Sequence, residues 1–260
     1  MKLCCCVGTN IERIELASKA GYKYCEIAFT DLAFKTDEDI TALGEKIKSL
    51  GLKVLAANCM FSPKMRLLEG EEGYPSIREH LEKALPRAKE LGVPVVILGS
   101  GDARKIPEGM TKEEAEDRFV AVIKDVIAPM FAEYGIMIGL EELRAEECNF
   151  INTCKEVMEI IRRVNLPNVK LLLDFYHAIL GGDTLEELET YGTENIVHVH
   201  YGSPVNERRA PKYGVDDHLI KEYFTMLKKI GYDGGFSLEA TYGDFESEAK
   251  EALSVMTAEL

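Results

Sequence analysis

One pattern recurs along the chain: a glycine closes a polar segment of helical period and is followed at once by a short apolar run. It occurs five times, as GYKYCEIAF from Gly21, GLKVLAANC from Gly51, GVPVVILGS from Gly92, GIMIGLEEL from Gly135 and GYDGGFSLE from Gly231. Three more apolar runs lack that glycine, namely KLCCCVG from Lys2, VKLLLDFYH from Val169 and NIVHVHYG from Asn195. Glycine ends helices readily, and short apolar runs are typical of buried strands. The pattern therefore predicts eight buried strands.

The segments between the strands begin with helix-capping signals, in which a threonine precedes an acidic residue three positions on. The pairs are Thr9 with Glu12, Thr36 with Asp39, Thr111 with Glu114, Thr153 with Glu156, and Thr184 with Glu187. Eight strands that alternate with helices predict an α/β fold, a closed (β/α)8 TIM barrel, with a doubly wound open sheet as the alternative. No linker-like tract interrupts the alternation, so we expect residues 1–260 to form a single domain.

Composition and charge narrow the choice of partner. The net charge of -14 disfavours nucleic acid, and no apolar stretch approaches the roughly 20 residues of a membrane span. No apolar signal-peptide region follows Met1. We expect a cytoplasmic protein that acts on a small molecule, with no nucleic acid or membrane partner, and leave open a homodimer or homotetramer. The seven cysteines, an odd number without paired metal-binding spacing, predict reduced thiols that lie mostly in the core.

Four consecutive predicted strands end in a polar residue, and these residues are Glu141, Asp174, His200 and Glu239. The carboxyl ends of barrel strands meet at one mouth, where three carboxylates would repel one another unless a cation were present. Each residue alone is also consistent with a helix cap, an ion pair or a core histidine. Together they predict one divalent metal ion, with Mn²⁺ first and Mg²⁺, Co²⁺ or Zn²⁺ as the other options, because the set is rich in oxygen.

His198 shares a strand face with His200, since residues two apart in a strand point the same way. We expect it to support the site from one layer below the mouth. Glu26, near the end of the second strand, is either a substrate contact or a buried partner of a mouth residue.

The strand endings LEELRAEECNF, LLLDFYH, HVHYGS and SLEA resemble those of the xylose isomerase-like barrels, which include ketose 3-epimerases and hydroxypyruvate isomerases. The resemblance covers nearly the whole chain. It implies that the same four residues bind the metal, that Glu141 and Glu239 also form the acid/base pair, and that three other residues contact the substrate. Those three are Glu147, His177 and Arg208. Two features depart from the epimerases: Arg144-Ala145 stands where they usually carry Asn-Arg, and the loop from His200 to Arg208 is slightly longer.

This residue set suits proton transfer next to a ketone, which needs a Lewis acid to stabilise an enediolate and a carboxylate to take the proton. We therefore predict a metal-dependent isomerase or epimerase of a sugar or sugar phosphate. A non-catalytic or accessory sugar-binding barrel and a polyol dehydratase are the alternatives. A DNA-repair nuclease of the same fold is disfavoured by the acidic charge and by too few histidines. Asp216 and His218 are then expected to cap the helix that follows.

Two weaker signals concern cationic residues. The stretch GSGDAR, from Gly99 to Arg104, could hold an anion through backbone amides with help from the arginine. Arg209, beside Arg208, is either a contact to hydroxyls or phosphate or a solvated side chain.

Overall fold

The computed structural model describes residues 1–260, and its centre is a closed barrel of eight parallel strands. The strands are Lys2–Cys6 (β1), Tyr24–Ala28 (β2), Lys53–Asn58 (β3), Val95–Leu98 (β4), Met137–Glu141 (β5), Val169–Asp174 (β6), Ile196–Tyr201 (β7) and Gly235–Leu238 (β8). Each strand pairs with the next in the chain, and β8 pairs with β1. The predicted (β/α)8 TIM barrel is confirmed, and the open sheet is wrong.

Helices follow the strands and cover the outside of the barrel. They are Ile11–Ala20 (α1), Phe29–Leu32 (α2), Asp37–Ser49 (α3), Tyr74–Glu90 (α4), Gly101–Arg104 (α5), Lys112–Val122 (α6), Ala128–Tyr134 (α7), Cys154–Val164 (α8), Phe175–Gly181 (α9), Leu185–Glu189 (α10), Asp217–Lys229 (α11) and Phe245–Glu259 (α12). A 3₁₀ turn over Gly70–Gly73 precedes α4, and a π-helical turn over Ile123–Ile127 joins α6 to α7. None of these helices combines the length and the apolar character that crossing a membrane requires.

The predicted capping boxes are complete at three helices, where Thr36, Thr111 and Thr184 each exchange bonds with the acidic residue three positions on. Thr153 also caps its helix.

The prediction for Thr9 is wrong. Helix α1 starts one residue later than that pattern implies, because Asn10 Oδ1 accepts the bond from Arg13 N at 3.0 Å. The Thr9 hydroxyl instead donates to Asp31. Asparagine caps helices as well as threonine does, so the pattern alone could not separate the two positions.

The five glycines that preceded the predicted strands all adopt left-handed backbone conformations, with φ between +67° at Gly135 and +109° at Gly21. Only glycine adopts such angles without a steric cost, so each of them turns the chain from a helix into the next strand.

Side chains alternate between two packed layers along each strand. The outer layer packs against the helices and is rich in aromatic rings. Phe236 on β8 is fully buried and contacts the rings of Phe175, Tyr201 and Phe224. Inside the barrel, a separate apolar cluster is built from strand residues only, and its members are Ala56, Val95, Ile97 and Leu172. The interior near β1, β2, β7 and β8 is polar instead.

All seven cysteines are free, and five of them are buried. This confirms the expectation that the cysteines lie mostly in the core.

We expect Phe236→Ala to lower the free energy of unfolding by about 3–5 kcal/mol, because it leaves a cavity among the rings that join the barrel to its helices. Urea denaturation followed by circular dichroism measures this change. The matched control is Phe34→Ala, since Phe34 is 78% exposed and its removal opens no cavity. If both substitutions lowered the free energy of unfolding equally, Phe236 would not be part of a packed layer between the barrel and its helices.

Candidate active site

The four polar strand ends meet at the mouth of the barrel. Glu141 and Asp174 are the last residues of β5 and β6, His200 lies near the end of β7, and Glu239 directly follows β8. One potential ligand atom from each lies within 4.8 Å of the others. The residues two positions earlier, Gly139, Leu172, His198 and Ser237, form the layer beneath.

Two atoms in this group are buried without a hydrogen-bond partner, namely Glu141 Oε1 and His200 Nδ1. They lie 3.7 Å apart, and His200 Nδ1 is 3.2 Å from Glu239 Oε2. Buried polar atoms are almost always paired in folded proteins, so two unpaired polar atoms that share one space point to a missing partner. Three carboxylates and an imidazole are suitable ligands for a divalent cation, and the residues therefore fit the predicted metal.

Glu26 holds His200 from below. Its carboxylate is buried and lies 2.9 Å from His200 Nε2, and it also lies 3.1 Å from His198 Nε2. His198 Nε2 is in addition 2.7 Å from Ser237 Oγ. Because Glu26 accepts the bond from Nε2 of His200, the other ring nitrogen, Nδ1, faces the mouth. His198 therefore lies beneath the site as expected, and Glu26 is a buried partner rather than a substrate contact.

This arrangement shifts the pKa values of both partners. Burial raises the pKa of Glu26, but the charges and hydrogen bonds of His200 and His198 outweigh it and lower the pKa to about 2. Burial lowers the pKa of His200, but the negative charges of Glu26 and Glu239 outweigh it and raise the pKa well above its ordinary value. The favoured state is a carboxylate that faces a protonated imidazole.

The two predicted acid/base carboxylates have pKa values shifted in opposite directions. Burial and then the nearby charge of Glu239 raise the pKa of Glu141, although His200 partly offsets them. Burial also disfavours the ionised form of Glu239, but His200 and Arg208 hold its pKa well below the ordinary value. Asn58 Nδ2 contributes by donating to Glu239 Oε1 at 2.8 Å. Two carboxyl groups with divergent pKa values are typical of an acid/base pair.

The three residues predicted to contact the substrate line one cavity of about 570 Å³ above the four strand ends. Arg208 Nη2 donates to Glu239 Oε2 at 2.5 Å and to Asp174 Oδ2 at 3.3 Å, and its guanidinium lies over the Tyr176 ring. His177 is fully buried, and its Nε2 has no hydrogen-bond partner. Glu147 Oε2 lies 3.7 Å from Arg208 Nη1 and 4.0 Å from His177 Nε2.

Sequence reasoning missed Asn58 and Gly99. Asn58 is the polar residue that ends β3, so the rule that found the other strand ends would also have found it. Gly99 follows β4, and a Cβ there would clash with Glu141 Oε2, which shows that the glycine leaves room for this carboxylate. Nothing in the sequence distinguishes Gly99 from the other glycines that are predicted to lie near the mouth.

The prediction that Arg104 helps to bind an anion is wrong. Its side chain is fully buried, and Nη1 donates to the backbone carbonyl of Glu141 at 2.7 Å and to that of Leu98 at 3.4 Å. Helix α5 is a single turn, so its last side chain reaches back beneath the ends of β4 and β5 instead of into the cavity.

Two other predictions are settled by the contacts of the side chains. Arg209 is neither a substrate contact nor merely solvated, since its Nη2 lies 2.6 Å from Glu248 Oε1. Asp216 occupies the N-cap position of α11, but its carboxylate accepts bonds from Tyr201 Oη and Lys212 N and not from the helix. The expectation of a side-chain cap at Asp216 is therefore wrong.

A family model described as xylose isomerase-like TIM barrel matches residues 14–259. The chain belongs to this family. It is 28% identical to inosose isomerase of Bacillus velezensis over 258 residues, which cover 92% of this chain and 88% of that one. It is 29% identical to 2-oxo-tetronate isomerase of Haemophilus influenzae over 233 residues, which cover 86% and 84%.

Solved structures agree with the family assignment. A D-psicose 3-epimerase from Clostridium cellulolyticum H10, solved with D-tagatose, superposes with a TM-score of 0.82 over 99% of both chains, and its 22% identity establishes the fold alone. The IOLI protein, solved with a bound zinc atom, is 26% identical and superposes with a TM-score of 0.76 over 100% of this chain and 96% of that one.

We expect binding of Mn²⁺ to release about one proton and to strengthen about tenfold per pH unit between pH 6 and 8. Glu26 and Glu239 raise the pKa of His200, so its ring carries a proton that must leave before Nδ1 can bind a metal. Isothermal titration calorimetry in two buffers of different ionisation enthalpy measures both quantities. Affinity that does not change with pH would contradict the predicted role of His200.

We expect Gly99→Ala to weaken Mn²⁺ binding by about 10–100-fold, because its methyl group displaces the Glu141 carboxylate. The end of a flexible side chain can move at little cost, so the thermal midpoint should change little. Gly44→Ala on α3 is the control, since that position is far from the mouth and alanine favours a helix. Unchanged metal affinity in Gly99→Ala would show that Glu141 does not need this space.

Proposed function

We propose that this chain is a divalent-metal-dependent isomerase or epimerase of a sugar or sugar phosphate, which transfers a proton at the carbon next to a carbonyl. One observation carries the proposal: Glu141, Asp174, His200 and Glu239 converge on one space, into which two buried atoms point without a partner. His200 Nδ1 lies in ion-pair distance of Glu239 and Glu141, but neither it nor Glu141 Oε1 makes a hydrogen bond, and a bound divalent cation would give both atoms a partner.

The relatives confirm the predicted class of enzyme. They are named isomerases and align with the chain over most of their own length. The chain is therefore an isomerase, and its substrate is part of the proposal. The zinc atom of the IOLI structure supports a divalent metal in the family. For this chain we propose Mn²⁺, with Mg²⁺, Co²⁺ or Zn²⁺ as alternatives, because three of the four ligands offer oxygen.

In this proposal Glu141, Asp174, His200 and Glu239 hold the metal ion. When bound, a divalent ion supplies Lewis-acid polarisation of the substrate carbonyl. Asp174 is fixed for this task, because its Oδ1 accepts from Tyr176 N at 2.8 Å and its backbone N donates to Glu142 Oε1 at 3.2 Å.

The proton moves between the substrate carbon and the two outer glutamates. Glu141 and Glu239 both line the cavity, where one carboxylate could take the proton from the substrate carbon and either could return it. The two carboxylates come from β5 and β8, which β6 and β7 separate, so they approach a substrate from different sides. That placement allows epimerisation as well as isomerisation.

The remaining cavity residues orient the substrate. His177 lines the cavity, and its buried Nε2, which has no hydrogen-bond partner, is the atom that would bond a hydroxyl or carbonyl oxygen of the substrate. Arg208 and Glu147 lie on the same side, where the guanidinium donates to hydroxyl oxygens and the carboxylate accepts from hydroxyl groups. Such fixed polar groups reduce the entropy cost of bringing the carbon to the base.

We expect Glu239→Gln to lower turnover by about 10²–10⁴-fold with little change in stability, because the amide keeps the shape of the side chain but cannot accept the proton. Deuterium uptake from D₂O into a panel of ketoses and inososes, followed by NMR, measures turnover. Glu248→Gln is the control, since Glu248 pairs with Arg209 outside the cavity. Full activity of Glu239→Gln would remove this residue from the mechanism.

A further inference from the structure

We infer that Arg144 is a positioning residue, which fixes the guanidinium of Arg208 through Glu147 and the ring of Tyr176. The inference rests on the proposed function, in which Arg208 binds substrate hydroxyl groups. Arg208 and Glu147 line the cavity, whereas Arg144 and Tyr176 do not. Arg144 therefore acts on a substrate only through its neighbours.

Arg144 holds the carboxylate of Glu147 in place. Its Nε donates to Glu147 Oε1 at 2.9 Å, and the other oxygen, Oε2, lies 3.7 Å from Arg208 Nη1. One carboxylate thus lies between two guanidinium groups, whose like charges would otherwise repel each other. Because Arg144 fixes Oε1, it also sets the place of Oε2 beside Arg208.

The ring of Tyr176 is the second link between the two arginines. Its centroid lies 5.2 Å from Cζ of Arg144 and 5.0 Å from Cζ of Arg208. A guanidinium over an aromatic ring is attracted to its face, and the attraction is stronger where water is excluded. Tyr176 is only 4% exposed, and its backbone N–H donates to Asp174 Oδ1 at 2.8 Å. The ring is therefore a fixed surface against which both guanidinium groups pack.

The backbone of Arg144 is also anchored, so its side chain starts from a fixed point. Its N–H donates to Nδ1 of buried His177 at 3.4 Å, and its carbonyl accepts from Glu147 N at 3.0 Å. The preceding residue, Leu143, donates from its backbone N to the carbonyl of Ile151 at 3.1 Å. The loop after β5 is thereby tied to α9 and to itself.

Arg208 needs support from outside the predicted metal site. Its Nη2 donates to Asp174 and Glu239, but both carboxylates are proposed metal ligands, so a bound ion would share their charge. Its backbone has a φ of +59°, in the left-handed region that residues other than glycine rarely adopt. The contacts to Glu147 and Tyr176 involve no proposed ligand, so they are the ones that position the guanidinium independently of the metal.

The first test observes Arg208 directly and needs no substrate. With excess Mg²⁺, a diamagnetic ion, ¹⁵N relaxation of the arginine Nε–H groups gives an order parameter for each, and Arg208→Lys identifies the signal. We expect Arg144→Gln to lower the order parameter of Arg208 to below about 0.6, the range of flexible groups. Arg163→Gln is the matched control, since Arg163 pairs with Glu116 and Asp117 outside the cavity and should leave the order parameter unchanged.

Substitutions of Tyr176 test whether the ring carries the effect. Tyr176→Phe keeps the ring and should leave the order parameter of Arg208 unchanged. Tyr176→Leu removes the ring and should lower it as Arg144→Gln does. The Arg144 side chain is 31% exposed, so its replacement leaves no buried cavity and remains decisive if Tyr176→Leu does not fold.

The second test measures turnover of the ketose or inosose that takes up deuterium fastest. We expect Arg144→Gln to raise KM by about 10–100-fold with a smaller change in kcat, because a misplaced Arg208 binds the substrate poorly. Arg144→Lys should recover part of the loss, since it keeps the positive charge beside Glu147. The affinity for Mn²⁺ should not change, because Arg144 contacts none of the four proposed ligands.

An Arg208 side chain that stays equally ordered in Arg144→Gln would overturn the inference, and so would an unchanged KM. Loss of Mn²⁺ affinity in this variant would overturn it as well, since Arg144 would then support the metal site as a whole. If no ketose or inosose takes up deuterium, the proposed function has failed, and the order parameter alone decides the inference. Failure of the inference leaves deuterium uptake by the unmodified protein, and with it the proposed function, intact.

Discussion

The crowding of Glu141, Asp174 and Glu239 around His200 is the constraint on which the site depends. Ligand atoms from the four side chains fall within 4.8 Å of one another at the end of the barrel, where little water reaches them. Such a group is stable only if positive charge balances the carboxylates. Arg208 supplies part of it, and the two unpaired atoms mark where a metal ion would supply the rest.

The interior of the barrel is built to support this group. On the side of β1, β2, β7 and β8 it is polar, and Glu26 joins His200 to His198, which in turn bonds Ser237. On the other side a small apolar cluster fills the space. The polar side sets the direction of the His200 ring, and the apolar side keeps water away from the carboxylates. The two histidines of HVHYG thus have different places: His200 lies at the mouth, and His198 lies one layer below it.

The fold and most of the candidate site could be predicted from the sequence because they follow from local rules. Glycines before apolar runs located the strands, and the last polar residue of a strand located Glu141, Asp174 and His200. Contacts between distant segments could not be predicted in this way. Gly99 avoids a clash with the Glu141 side chain, and the Arg104 side chain bonds the backbone carbonyl of Glu141. Both contacts join segments that are distant in the chain, so no short stretch of sequence encodes them. The direction of the pKa shifts likewise depends on burial and on charges from several strands.

The central claim is that these four residues form one metal site, and the most direct test is the metal content of the purified protein. Elemental mass spectrometry of unsupplemented protein should find about one equivalent of manganese, magnesium, cobalt or zinc per chain, lost in both His200→Ala and Glu141→Gln. Protein that contains no metal and cannot be loaded with any of the four would contradict the account.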